Sequence, residues 1–594
     1  MSKTNKLVET AAGRMVPTVV NGQEQVPFQG VGKYKPTGRK AAPPVRSCND
    51  YPVDGNKVVA YVRNDEAAPR RRSGQAPRRS DEGQGGMPSH GPPVGGHGPG
   101  ATDGLSASAQ HGSESRATLP ILARAKACDN AVEALKVALK NAGIRDGMRV
   151  SSHHHFRNGD RVAVPLFRAA AELGVKDLIW FPSACFPCHE PLIELLDSGA
   201  IHHVEGSMNG PIGNYCSTGK MRGMGVLRSH GGRWQAVQDG DVHIDIAVLA
   251  CPKCDPFGNA NALEGPSACG LLGFGLVDSI YADHVIAVTD NLVPFPCIPW
   301  QIQGNNVDQV VVMDSIGDPK EIVSGTTQLT KSPDRLMIAE MAAQFVRDAG
   351  IMRDGFSFQG GAGGTSLAFA IYLKEYMKQA GVKARFIRGG STKYMVEILE
   401  EGLTDYILDG QTFDLDGVRS MREYPNHQDT SPFTSYNWHG KGCFATFVDC
   451  VVLGATEVDV DFNANVVTHS DGRLLHGIGG WQNCLFSRCT ILPIPSVRDR
   501  IPVIVDRVTT LVGPGELIDV VVTERGIAIN PRRQDLLDAV KGSKLPIRPV
   551  EDIKAEVDRL CGGPPAKPKL GEKIVAAIKW VDGTVIDCVR AVEE

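Results

Sequence analysis

The chain has 594 residues, 42% of them hydrophobic and 22% charged, with a formal net charge of −4. That length exceeds what one hydrophobic core normally serves, and the composition is that of a globular protein with two or more domains. The charge balance removes any global case for nucleic acid, which needs a basic face, and no apolar run reaches the roughly 18–20 residues of a membrane span. Met1 to Lys6 is polar and resembles no signal peptide, so a cytoplasmic protein without membrane contact is expected. The 15 cysteines are spread through apolar segments and read as reduced core residues rather than a disulfide scaffold.

In chain order, residues 1–63 form an N-terminal arm, of which Val16 to Tyr34 reads as a short docked piece. Residues 64–118 are rich in Pro, Gly, Arg and Ser, contain Arg70-Arg71-Arg72 and have almost no large aliphatic side chains. Such a segment cannot bury enough apolar surface to offset its ordering entropy, and is read as a disordered insertion. A solvated linker and a basic contact for RNA or an acidic partner are both open for it. From Leu119 helices and apolar strands alternate. Ile121–Ala142 and Arg161–Leu173 have helical spacing, whereas Met148–Val150, Leu178–Phe181, Ile244–Leu249 and His284–Val288 read as strands. The alternation predicts an α/β fold with largely parallel sheets.

A weak internal repeat divides this region. Asp245–Leu249, Asn259-Ala260-Asn261 and Gly273-Phe274-Gly275 correspond to Asp449–Leu453, Asn463-Ala464-Asn465 and Gly477-Ile478-Gly479, each offset by 204 positions. Two related α/β domains are expected, at 119–330 and 331–562, followed by a C-terminal strand tail at 563–594.

Three segments carry candidate chemistry. Gly360, Gly361, Gly363 and Gly364 lie between the strand Gly355–Gln359 and a helix from Leu367 to about Gln379. Free N–H groups and the helix dipole at such a turn bind anions; a plain tight turn is the alternative. The pattern is neither a dinucleotide fingerprint nor a P-loop. Gly477, Gly479 and Gly480 form a second cluster whose backbone N–H groups can hold an oxyanion, or simply shape a loop. Ser151–Asp160 packs His154, His155 and Arg157 into one loop after a short strand, and His230 and Arg233 repeat that chemistry. Both groups are candidate carboxylate binders, with zinc binding or a core histidine as alternatives. The pairs Cys185/Cys188 and Cys251/Cys254 have haem- or zinc-like spacing, but no metal is expected: Cys251 ends a buried strand, and haem attachment accompanies export.

Taken together, Asp245–Leu249, Asp255–Asn259, Gly477–Gly480 and Val521–Ala528 are similar to the two-domain CoA transferases. Ser152–Asp160, Ser229–Arg233, Phe462–Val466 and Ile501–Asp506 resemble the citrate lyase α subunit family in particular, over about Lys126 to the C-terminus. The resemblance implies transfer of an acyl-carrier-protein (or CoA) thioester from acetyl to citrate, with Gly477, Gly479 and Gly480 as oxyanion donors. It implies no tightly bound cofactor. The co-substrate is acetyl-CoA, or phosphoribosyl-dephospho-CoA on the carrier. It also implies a hetero-oligomer with a β subunit that cleaves citryl-carrier and a γ subunit that is the carrier. Citrate would be held by His154, His155, Arg157, His230 and Arg233. Asp255, Asn259, Asn463 and Asn465 would shape interface turns and reach substrate. Many CoA transferases use a Glu nucleophile; here Gly389 falls near that position, which implies catalysis without a covalent enzyme thioester. A CoA transferase or hydrolase for another acid, such as citramalate, and a ligand-binding regulatory subunit are the alternatives.

Overall fold

The structure is a computed structural model that describes residues 6–32, 130–323, 327–361, 363–437 and 443–593. The insertion read at 64–118 lies outside the described residues. So does the start of the first predicted helix, whose described part is α1 (Ala131–Asn141), capped by the Asn130 side chain.

Six strands form a wholly parallel sheet: β1 (Arg149–Ser152), β2 (Leu178–Pro182), β3 (Ile201–Val204), β4 (Ile246–Ala250), β5 (His284–Thr289) and β6 (Gln309–Val312). Their order is β6-β5-β4-β1-β2-β3. Every residue of β4 and β5 is buried, as befits apolar strands covered on both faces. Helices α2 (Ala163–Glu172), α3 (His230–Gln238) and α4 (Gly275–Tyr281) belong to this half.

Eight strands form the second sheet: β7 (Ser357–Gly360), β8 (Ala384–Ser391), β9 (Thr404–Thr412), β10 (His427–Asp429), β11 (Cys450–Val452), β12 (Thr490–Pro493), β13 (Val520–Thr523) and β14 (Gly526–Ile529). The order is β10-β9-β8-β7-β11-β12-β13-β14, parallel except for the closing β13–β14 pair. Helix α5 (Gly364–Ala380) follows β7. Outward from β1 and from β7 the strand order is the same, with one extra strand at each edge of the second sheet. The strands of one sheet precede residue 330 and those of the other follow it, yet one apolar core contains residues from both halves, Val248 and Leu453 among them. A smaller core belongs to the second sheet alone.

The sequence repeat reappears as hydrogen-bonded loops. The Asp255 carboxylate accepts from the N–H groups of Phe257, Asn259 and Cys297 and from Asn259 Nδ2, and Asn259 Oδ1 accepts from Gly304 N–H. Asp459 accepts in the same way from Asp461, Asn463 and Val508 N–H and from Asn463 Nδ2, and Asn463 Oδ1 accepts from Gly515 N–H. Such loops satisfy backbone donors that the sheets leave over.

The tail is a hairpin of β15 (Leu570–Lys579) and β16 (Val585–Val592), and β15 pairs in parallel with the short strand Gly225–Leu227. The N-terminal arm docks on this hairpin: Phe28 N–H donates to the Val585 carbonyl, and Val16 and Val20 pack against Ala577 and Val585.

Candidate functional site

Strand β1 runs into the loop that carries the three consecutive histidines. The chain leaves the strand at Ser152 and turns at His155, so the three side chains point in different directions. His153 Nε2 lies 2.7 Å from Asp278 Oδ2. His154 Nδ1 lies 2.5 Å from Ser183 Oγ, and its Nε2 lies 3.3 Å from Gln411 Oε1 on β9. His155 Nε2 donates to the Ala250 carbonyl at 2.8 Å. The His154–Gln411 contact joins the first half of the chain to the strand ends of the second.

Ser229 caps α3 by accepting from Gly232 N–H, which sets His230 at the helix start. The His230 ring stacks on His154 with centroids 5.1 Å apart, and Phe274 packs against both rings. His230 N–H donates to the Gly479 carbonyl at 2.8 Å, and Gly231 N–H to Asn483 Oδ1 at 3.1 Å. The turn Gly477–Gly480 is thereby pinned to α3. Gly479 has φ +62, and a Cβ at Gly480 would stand 2.5 Å from the Tyr436 hydroxyl. None of the N–H groups of Gly477, Gly479 and Gly480 has an acceptor among the described residues.

Arg157 lies between two rings, its guanidinium carbon 5.0 Å from the Phe413 centroid and 5.6 Å from that of Phe186, with Nη1 donating to Thr327 Oγ1. Phe413 packs on Gly390, beside a register shift between Gly389 and Gly390 on β8. Gly389 pairs with Gly360 at the end of β7. From there the chain turns through Gly361 and Gly363 into α5, which starts at Gly364 with no side-chain cap. The first N–H groups of such a helix are left without intrahelical partners. Gly364 packs on Gln328, the neighbour of Thr327. The three segments expected to carry chemistry thus meet at one junction, through His154–Gln411, His230–Gly479 and Arg157–Phe413–Gly390.

Burial sets the charge states. Desolvation, with His230 and Arg157 nearby, holds His154 well below the usual imidazole range. Desolvation lowers His155 to about 4 and, aided by Arg233, His230 to about 3. All three are neutral near pH 7. Burial lowers Arg157 to about 10, which leaves it protonated. Asp409, the acid at the ends of β8 and β9, is wholly buried and accepts from the N–H groups of Ser391 and Gln411 and from the Ser391 hydroxyl. Gly389 has φ +118, a conformation that suits glycine and disfavours a glutamate.

Several expected ligands have other partners. Arg233 does not face open space: its guanidinium grips buried Asp278 through Nη1 and Nη2, at 2.8 and 2.7 Å, and lies over Phe181. His155 is committed to the Ala250 carbonyl. Asp255, Asn259 and Asn463 brace their loops, the turn-shaping role expected of them, and Asn465 bonds to Glu457 and Thr468. Sequence reasoning missed Ser183, Phe274, Gln411, Phe413 and Tyr436. Only Gln411 left a signal, a polar residue just past an apolar parallel strand, where ligands gather in α/β folds. Cys251, Cys254 and Cys269 are buried, and burial raises each thiol. Among the described residues the one group of metal-ligand type is His243, Asp245 and Asp283, at the surface.

Two sheets of matching strand order, the first parallel and the second parallel but for its closing pair, define a two-sheet α/β protein whose halves meet at glycine turns. The sequence model of the family described as citrate lyase, alpha subunit, matches residues 128–592, so the chain belongs to the citrate lyase α subunit family. The citrate lyase alpha chain of Klebsiella pneumoniae is 39% identical over 471 residues, 79% of this chain and 92% of that protein. A solved citrate lyase α subunit from Streptococcus mutans, in complex with citrate, superposes with a TM-score of 0.76 at 40% identity, covering 80% of this chain and 92% of its own. A Pseudomonas malonate decarboxylase hetero-tetramer contains a chain with TM-score 0.51 and 19% identity, covering 74% of this chain and 94% of that one, a likeness of fold alone.

Proposed function

We propose that the chain catalyses acetyl-S-carrier plus citrate giving citryl-S-carrier plus acetate, the first step of citrate cleavage. The observation that carries this reading is the turn Gly477–Gly480. Its three glycine N–H groups have no acceptor among the described residues, and it is pinned to His230 beside His154. A citrate carboxylate, ionised at neutral pH, attacks the acetyl carbonyl, and the oxyanion that forms is held by the N–H groups of Gly477, Gly479 and Gly480. The carrier thiolate leaves, and an acetyl–citryl anhydride remains. The thiolate then attacks the citryl carbonyl and acetate departs. Arg157 grips a citrate carboxylate, and neutral His154 and His230 hydrogen-bond to it. The turn Gly360-Gly361, Gly363 and Gly364 receives an anionic part of the carrier arm.

The co-substrate is acetyl-CoA or phosphoribosyl-dephospho-CoA on an acyl carrier protein. The partners are that γ subunit and a β subunit that cleaves citryl-carrier to oxaloacetate, in a cytoplasmic complex. No helix among the described residues is long and apolar enough to cross a membrane. The test is purified protein with acetyl-CoA and citrate. Citrate-dependent acetate release with citryl-CoA formation, and no hydroxylamine-sensitive glutamyl adduct, is expected. Absence of citryl-CoA, or such an adduct, refutes it.

A further inference from the structure

Arg388 stands on β8, one residue before Gly389, and is 0% exposed. Register pairs it with Gln359 on β7, so both side chains leave the sheet on one face. Nη1 donates to Gln359 Oε1 at 2.6 Å, and the guanidinium lies 4.2 Å from the centroid of the Tyr436 ring. Nε and Nη2 are buried and have no acceptor among the described residues. The ionisable groups around it are Tyr436, Cys484 and Cys443, none of them a carboxylate. This sets it apart from the buried cations Arg233, paired with Asp278, and Lys374, paired with Glu397. A buried charge without an anion opposes folding, and such a cost persists where it serves function.

Tyr436 links this charge to the glycine turn. Its hydroxyl abuts Gly480, and its backbone and Cβ abut Gly231, the neighbour of His230. The cation therefore sits one ring behind the turn, in a water-poor interior where charges act strongly. We propose that Arg388 is a positioning residue of the exchange reaction: its charge, held behind Tyr436, offsets the negative charge that develops at the Gly477–Gly480 turn. This rests on the oxyanion role proposed for that turn. Part of the site's electrostatics is then supplied by a side chain that never touches substrate.

The experiment compares full-length wild type, Arg388→Met and Arg388→Lys with acetyl-CoA and citrate, reading kcat, citrate KM and Tm. Arg388→Met is expected to lower kcat at least about tenfold with citrate KM within about twofold, because only charge stabilisation in the transition state is lost. Its Tm is expected to equal or exceed that of wild type, since an apolar side chain of similar length replaces an unpaired ion. Arg388→Lys, which keeps the charge, is expected to retain more kcat than Arg388→Met. A Tm that falls together with kcat, or an Arg388→Met protein that does not fold, assigns a structural role and overturns the proposal. So does an unchanged kcat, or a change confined to KM. A wild type that makes no citryl-CoA instead refutes the reading of the whole site.

Discussion

His154 and His230 face each other with ring centroids 5.1 Å apart and planes 17° from parallel, and each is tied to the second half of the chain. His154 reaches Gln411 by its side chain, and His230 reaches Gly479 by its backbone. Two imidazoles in such contact cannot both be charged, and burial keeps both neutral. His154→Phe keeps the stack on His230 and Phe274 but removes both nitrogens. It is expected to lower citrate-dependent acetate release about 10²-fold. A rate within twofold of wild type refutes the substrate role of His154.

Arg233 and Asp278 form a buried ion pair to which His153 adds a third member. Arg233→Met leaves the Asp278 carboxylate short of its main partner. Chemical denaturation is expected to show a loss of about 3–5 kcal/mol. Citrate KM of the folded fraction should stay near wild type; a selective rise in KM would return Arg233 to the ligand set.

The two aspartate loops predict matched effects from distant positions. Asp255→Asn and Asp459→Asn each replace a carboxylate oxygen, an acceptor, with an amide that can only donate. Each oxygen accepts two hydrogen bonds, and leaving buried N–H groups unpaired costs about 1–3 kcal/mol. Denaturation midpoints should fall for both variants. If only one falls, the loops are not energetically equivalent.

Acid should destabilise the protein in a defined window. The folded-state pKa of His155 is about 4, against an ordinary value of 6.5 in the unfolded chain. Between these values the unfolded chain binds the proton and the folded chain does not. Stability is therefore fully present above about pH 6.5 and is lost as pH falls towards about 4. His155→Gln can keep a donor for the Ala250 carbonyl and cannot titrate, so its Tm should fall less steeply with acid. Identical pH profiles for the two proteins would count against burial of a neutral His155.

The candidate site was legible only in part. Alternating apolar runs announced the parallel strands, and the offset of 204 announced the paired loops, because both are local patterns along the chain. Glycine clusters marked the turns, since backbone N–H groups at strand–helix junctions bind anions whatever the fold. The choice among the polar residues was not legible. Arg233 and Arg157 look alike in sequence, yet one meets Asp278, 45 positions later, and the other meets Thr327 and Phe413.

The sequence by itself determined the α/β class, the repeat, the family resemblance and the glycine turns, all of which are set by short-range periodicity and backbone permissiveness. Tertiary structure alone decided which side chains keep free donors. Packing brought Asp278 to Arg233 and the Ala250 carbonyl to His155, which engaged both Nη groups of Arg233 and the Nε2 donor of His155. It also left Arg388 buried behind Tyr436 with no anion among the described residues. The partners of a buried polar group come from distant segments, and no local pattern encodes them.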